Sequence, residues 1–107
     1  MRKETKIPAD LLKALNYSSA EEAALEMLLL SAQSKYAEFS QEVKRFEENY
    51  GMNFEDFQRM VEMRVNEEVF EQEEDLMAWK FAKEAAEYWR NLIEELGHAA
   101  GSGKAIL

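Results

Sequence analysis

Leu25, Leu29, Ala32, Tyr36, Phe39, Val43, Phe46 and Tyr50 stand at separations that alternate between four and three, and neither Gly nor Pro interrupts the chain between residue 19 and Gly51. Alternation of that kind keeps apolar side chains on one face of an α-helix and is the heptad pattern for packing along the length of another helix. The implied helix runs for about 31 residues, roughly 46 Å at 1.5 Å per residue. The chain has 107 residues, and a globule of that size has a radius of gyration of about 13 Å and so a diameter near 30 Å. Such a helix does not fit inside it. The feature therefore predicts an all-α fold, an elongated helical hairpin or bundle around one long central helix, with heptad seams that pair two chains into a homodimer.

Shorter signals place the other helices. Pro8 is suited to the first turn of a helix over residues 8–15, because its missing N–H has no partner there in any case. Ser18 or Ser19 can cap the long helix over residues 19–50, with Glu21 or Glu22 as the return partner of a capping box. Gly51 suits the left-handed position after a helix end, and Asn53, followed by Glu55 and Asp56, reads as the next cap. Phe54, Phe57, Val61, Val65 and Val69 outline a third helix over residues 54–70, broadened by Met60 and Met63. It weakens in EEVFEQEED, where like charges crowd, so a break is expected within residues 66–74. A last helix over residues 75–96 carries Trp79, Ala82, Ala86, Trp89, Ile93 and Leu96 on a second heptad seam, with Phe81, Ala85, Tyr88 and Leu92 beside it. Gly97 is expected to end it. One helical domain over residues 1–97 and a flexible tail over residues 98–107 follow.

Charge divides the chain by region. Residues 1–17 carry four bases against two acids, whereas residues 51–75 carry nine acids against two bases, and the whole chain has a net charge of -9. An acidic field of this kind repels nucleic acid and membrane phosphates and speeds encounter with basic partners. Nucleic acid is excluded except through residues 1–15, and a basic protein partner is expected. The longest apolar run, residues 23–32, contains Glu26 and Ser31 and is too short to span a bilayer, and MRKETKIPAD lacks an apolar signal core. The chain reads as cytoplasmic. With no Cys, disulfide and thiolate chemistry are absent.

Each candidate for chemistry meets a simpler explanation. Glu95 and His98 have Glu-x-x-His spacing, but a carboxylate-bridged metal bundle needs that motif twice. Glu67, Glu68, Glu71, Glu73, Glu74 and Asp75 form a run open to water, without the burial that acid/base catalysis needs to move a pKa. GSGK has no Gly five residues before Gly103 and Ala105 where a phosphate loop has Ser or Thr. Trp79 and Trp89 lie on a seam, where core or interface outranks ligand stacking. The six Met residues fill a core or an adaptable groove. ETKIP followed by ADLLKAL has the order of a ribbon-helix-helix DNA binder, with one short strand and little positive charge. No catalytic residue, cofactor or metal is expected.

Residues 7–96 resemble a small acidic antitoxin of a prokaryotic type II toxin-antitoxin module, through IPADLLKAL, RFEENYGMNFEDF and the acidic connector into EDLMAWKFA. The resemblance implies a protein whose work is binding: an acidic helical region that covers a basic toxin, dimerisation, and in some cases contact with promoter DNA. Phe46, Tyr50, Phe54, Phe57 and Trp79 are expected as aromatic anchors for that partner, with Glu71, Glu74 and Asp75 as a steering rim. Leu29, Tyr36, Phe39 and Val43 are expected to serve self-association. A self-assembling helical scaffold and a DNA-binding regulator are the alternatives.

Overall fold

The computed structural model describes residues 7–64 and 69–100. They form four α-helices: α1 (Ala9–Ala14), α2 (Ala20–Tyr50), α3 (Phe54–Glu62) and α4 (Phe70–Ala100). α2 and α4 are each 31 residues long and lie side by side as an antiparallel hairpin, while α3 folds back against α4 at the connected end. The radius of gyration is 20.5 Å and the principal extents are 66 × 39 × 19 Å, well beyond a globule of this length. The fold is all-α and elongated, as the heptads require.

Local chemistry sets the ends of α2 and α3. Ser19 accepts the Glu22 amide at 3.1 Å, and Glu22 in return accepts from the backbone N–H of Ser18 at 3.3 Å, a capping box displaced by one residue. Asn53 accepts the Asp56 amide at 2.8 Å, with Glu55 and Asp56 in the first turn where the helix dipole favours negative charge. Gly51 ends α2 at φ 64°, its amide bonded to the Glu47 carbonyl.

Two boundaries differ from the sequence reading. α3 stops at Glu62, not residue 70, and α4 begins at Phe70, not Asp75. The crowded acids of EEVFEQEED were expected to weaken the helix, with a break within residues 66–74. Glu71 and Glu73 instead occupy the first turn of α4, where the exposed N–H groups offset their repulsion. The Gln72 and Glu73 amides close the turn on the Val69 carbonyl. Part of the expected break, residues 66–68, lies outside the described residues. At the other end α4 runs through Gly97 to Ala100, so residues 98–100 belong to the helix and the rest of the expected tail lies outside the described residues.

Gly51 and Gly97 predict opposite results. A Cβ at either meets nothing within 4 Å, but only Gly51 has positive φ. Gly97→Ala should stabilise the protein by about 0.5–1 kcal/mol, since glycine within a helix costs that much relative to alanine. Gly51→Ala should cost roughly 1–2 kcal/mol for forcing a Cβ into the left-handed region. Urea midpoints that move in opposite directions for the two variants check both statements.

Candidate functional site

The expected aromatic anchors form the protein's own core. Trp79 and Phe57 are 0% exposed, and Phe46 and Phe54 are buried with them. Trp79 is the hub: Phe46 stacks on it at 5.5 Å between ring centroids, Phe57 tilts against it at 5.2 Å, and Phe54 meets it edge-on at 5.7 Å. Phe46 comes from α2, Phe54 and Phe57 from α3, and Trp79 from α4, so this cluster joins all three helices. Phe46, Phe54, Phe57 and Trp79 are therefore not anchors for a partner. Once Gly51 and Asn53 turn the chain back on itself, α3 covers those rings from within.

Tyr50 is half-buried beside Phe57 at 4.2 Å, and its hydroxyl donates a hydrogen bond to Asp75 Oδ2. Thus Asp75 also serves the intramolecular contact rather than a steering rim. Burial, then the Asp75 hydrogen bond and the charges of Asp75 and Glu71, favour the neutral phenol and push Tyr50 up to about 12. Stability tied to this shift is fully present below pH 10, where the phenol is neutral in folded and unfolded chains alike. It is lost as pH rises from 10 towards 12. In an alkaline ultraviolet titration one of the four tyrosines should ionise last, and Tyr50→Phe should remove that late phase.

Of the residues expected to self-associate, Leu29, Phe39 and Val43 are engaged within the chain, whereas Tyr36 stays exposed. Leu29 is buried, Val43 packs against the aromatic cluster, and Phe39 meets Phe81 of α4 edge-on at 5.8 Å. Tyr36 lines a groove with Val43, Lys83, Ala86 and Arg90. The helix that the α2 seam required is α4 of the same chain. The pairs Phe46 with Trp79 and Tyr50 with Asp75 define an antiparallel register that, carried along the hairpin, sets Leu29 and Ala32 across from Leu96 and Ile93.

Of the expected partner-binding residues, Glu71 and Glu74 remain exposed. The structure adds a surface beside them. Phe70, Met77, Phe81 and Tyr88 are 72%, 74%, 64% and 58% exposed. They recur at intervals of seven, four and seven along α4, which places them on one line down the helix. The signal was present in the sequence, where Phe81 and Tyr88 stand beside the seam, but a broad apolar face does not say which edge is covered.

The two flanks of the hairpin differ. On one, α3 docks near Lys83, whose ammonium bonds Glu55 at 2.8 Å and lies over the Phe54 ring. The Lys83 hydrogen bond is the main cause that lowers the Glu55 carboxyl, and the Glu55 partner raises Lys83. On the other flank a groove is lined by Phe39, Ala78, Phe81 and Ala82, with Glu38 and Glu42 along its α2 wall.

Towards the start of the chain Leu11 and Leu15 of the α1 region and Met27, Leu28 and Leu30 of α2 are each exposed. The basic residues Arg2, Lys3 and Lys6, the ETKIP strand reading and GSGK fall wholly or largely outside the described residues. Among the described residues no group of three His, Asp or Glu side chains converges to hold a metal ion, and no helix is long and apolar enough to cross a membrane. No protein-family model matches the chain, and neither a curated protein nor a solved structure matches it.

Proposed function

We propose that the chain is a non-enzymatic binding module whose acidic helical hairpin covers a basic protein partner, acting in the manner that the resemblance to small antitoxins implies. The observation that carries this reading is the pairing of exposed acids with exposed apolar side chains at one end of α4. Glu71, Glu73 and Glu74 stand beside Phe70 and Met77, all open to solvent. Acids on a rim accelerate encounter with a basic protein, and desolvated apolar side chains then hold it.

The test is the native mass of the tagged protein purified from its own host, by light scattering, with mass spectrometry of what accompanies it. A small basic protein retained at fixed stoichiometry and released by salt is the expected result. A clean homo-oligomer with nothing attached would overturn it.

Self-assembly is the second reading, and a specific observation favours it. Met27, Leu28 and Leu30 of α2 are exposed, as are Leu11 and Leu15 in the segment 1–17 whose four bases outnumber its two acids, so a second copy meets less acid there than along residues 51–75. A dimer mass that Met27→Glu or Leu30→Glu converts to monomer would establish it.

A further inference from the structure

We propose that the flank of the hairpin bearing Phe39 and Phe81 is the docking site for one basic amphipathic helix of another protein. The inference rests on the binding function above and gives that function a surface.

Three observations lead to it. First, the molecule already shows what covers such a flank. On the Lys83 side the α2–α4 pair receives α3, which buries Phe54 and Phe57 against Trp79 and closes with the Glu55–Lys83 ion pair. The opposite flank offers an apolar floor of Phe39, Ala78, Phe81 and Ala82 but has no helix on it among the described residues.

Second, the spacing specifies a helix. Phe70, Met77, Phe81 and Tyr88 form a stripe spanning 19 residues of α4 that meets the groove at Phe81, about 27 Å or five turns. Intervals of seven, four and seven mesh with the heptad seam of a helix lying at a shallow angle. Among the described residues all regular structure is helical, so there is no sheet edge to receive an extended peptide.

Third, charge decides between a foreign helix and a second copy. Glu73, Glu74 and Glu84 are exposed along the stripe and make no salt bridge among the described residues. Glu38 and Glu42 on the α2 wall are paired with Lys35 and Arg45, and Lys80 stands at the margin, so the excess acid is that of Glu73, Glu74 and Glu84. A twofold dimer through this face presents the same acidic stripe from both chains, bringing like charges together where the apolar rings meet. A helix with lysine or arginine flanking an apolar seam meets the same acids as counter-charges. The surface selects a basic partner against a copy of itself.

The experiment is fluorescence anisotropy of a labelled synthetic helix of about 18 residues, leucine at heptad positions and lysine and arginine elsewhere, titrated with the full chain. The expected result is saturable binding that weakens with salt. It should fall at least about tenfold in Phe81→Glu and in Met77→Glu, each loss corresponding to removal of one anchoring side chain. Glu73→Lys/Glu74→Lys should weaken binding and flatten its salt dependence, while Arg90→Glu on the other flank should leave it unchanged. Met77 touches the fold less than Phe81, so its variant keeps the test sound if Phe81→Glu unfolds the hairpin, which circular dichroism reports. No binding to the wild-type chain, equal binding by both anchor variants, or equal binding of a peptide with glutamate in place of the bases would overturn the proposal. So would a wild-type dimer by sedimentation that Met77→Glu makes monomeric, since the second copy would then be the occupant. If a basic protein purified with the chain from its host stays bound to Met77→Glu and Phe81→Glu, this surface is wrong and the binding function stands. If no basic protein accompanies the wild type, the function itself fails.

Discussion

Trp79→Ala is expected to lower the unfolding free energy by about 3–5 kcal/mol, the range for removing a fully buried aromatic ring from a core. The ring is 0% exposed and touches Phe46, Tyr50, Phe54 and Phe57. Its contacts come from α2 and α3, so truncation leaves a void in the one place where three helices meet. A domain of this size has about 5–15 kcal/mol in total, and the loss takes a large share of it. Trp79→Phe should cost less, because the indole Nε1 is buried without a hydrogen-bond partner among the described residues, and a phenyl ring removes that unsatisfied donor while keeping most of the contact. Guanidinium unfolding followed by far-ultraviolet circular dichroism checks both variants. A loss under about 1 kcal/mol for the alanine variant would mean the cluster is not the centre of the fold.

The second large effect lies at the other end of the hairpin. Leu29 is 3% exposed in the single chain, so Leu29→Ala should cost about 2–5 kcal/mol. The informative part is its dependence on concentration. Because α4 of the same chain covers the α2 seam, the thermal midpoint of both wild type and variant should not move over a hundredfold or so dilution, since only linked association makes a midpoint depend on concentration. A midpoint that falls with dilution in the wild type and falls further in the variant would return the seam to a dimer interface.

How the seam is filled marks the boundary of what the residues alone disclose. The period from Leu25 to Tyr50 is local, and a helix of that length follows from it directly, as do a cap at Ser18 or Ser19, of which the structure uses Ser19, and the cap at Asn53. The covering helix is not local information. Residues 75–96 carry a matching seam, but the choice between folding back on the same chain and pairing with another depends on the turn through Gly51 and the intervening α3. The acids before Leu76 misled for a related reason: repulsion between neighbours in sequence is visible in the letters, whereas the field of a helix terminus exists only once the helix begins at Phe70. The same holds for the surface. Phe46, Phe54, Phe57 and Trp79 declare that they must be covered, and Phe81 and Tyr88 declare the same, yet only the packing of α3 separates the rings it hides from those it leaves in solvent.

The placement of α3 also orders the assembly of the hairpin in time. Tyr50 and Asp75 meet across 25 residues of chain, whereas the far ends of α2 and α4, near residues 25 and 100, close a loop about three times as long, which is entropically dearer before any contact repays it. Folding is therefore expected to start at the aromatic end, where α3 supplies extra rings over a short loop, and to proceed towards Leu29 and Leu96 like a zip fastened at its base. Changes near Trp79 should then act mainly on the folding rate and changes near Leu29 mainly on the unfolding rate, which stopped-flow chevrons of Trp79→Phe and Leu29→Ala check.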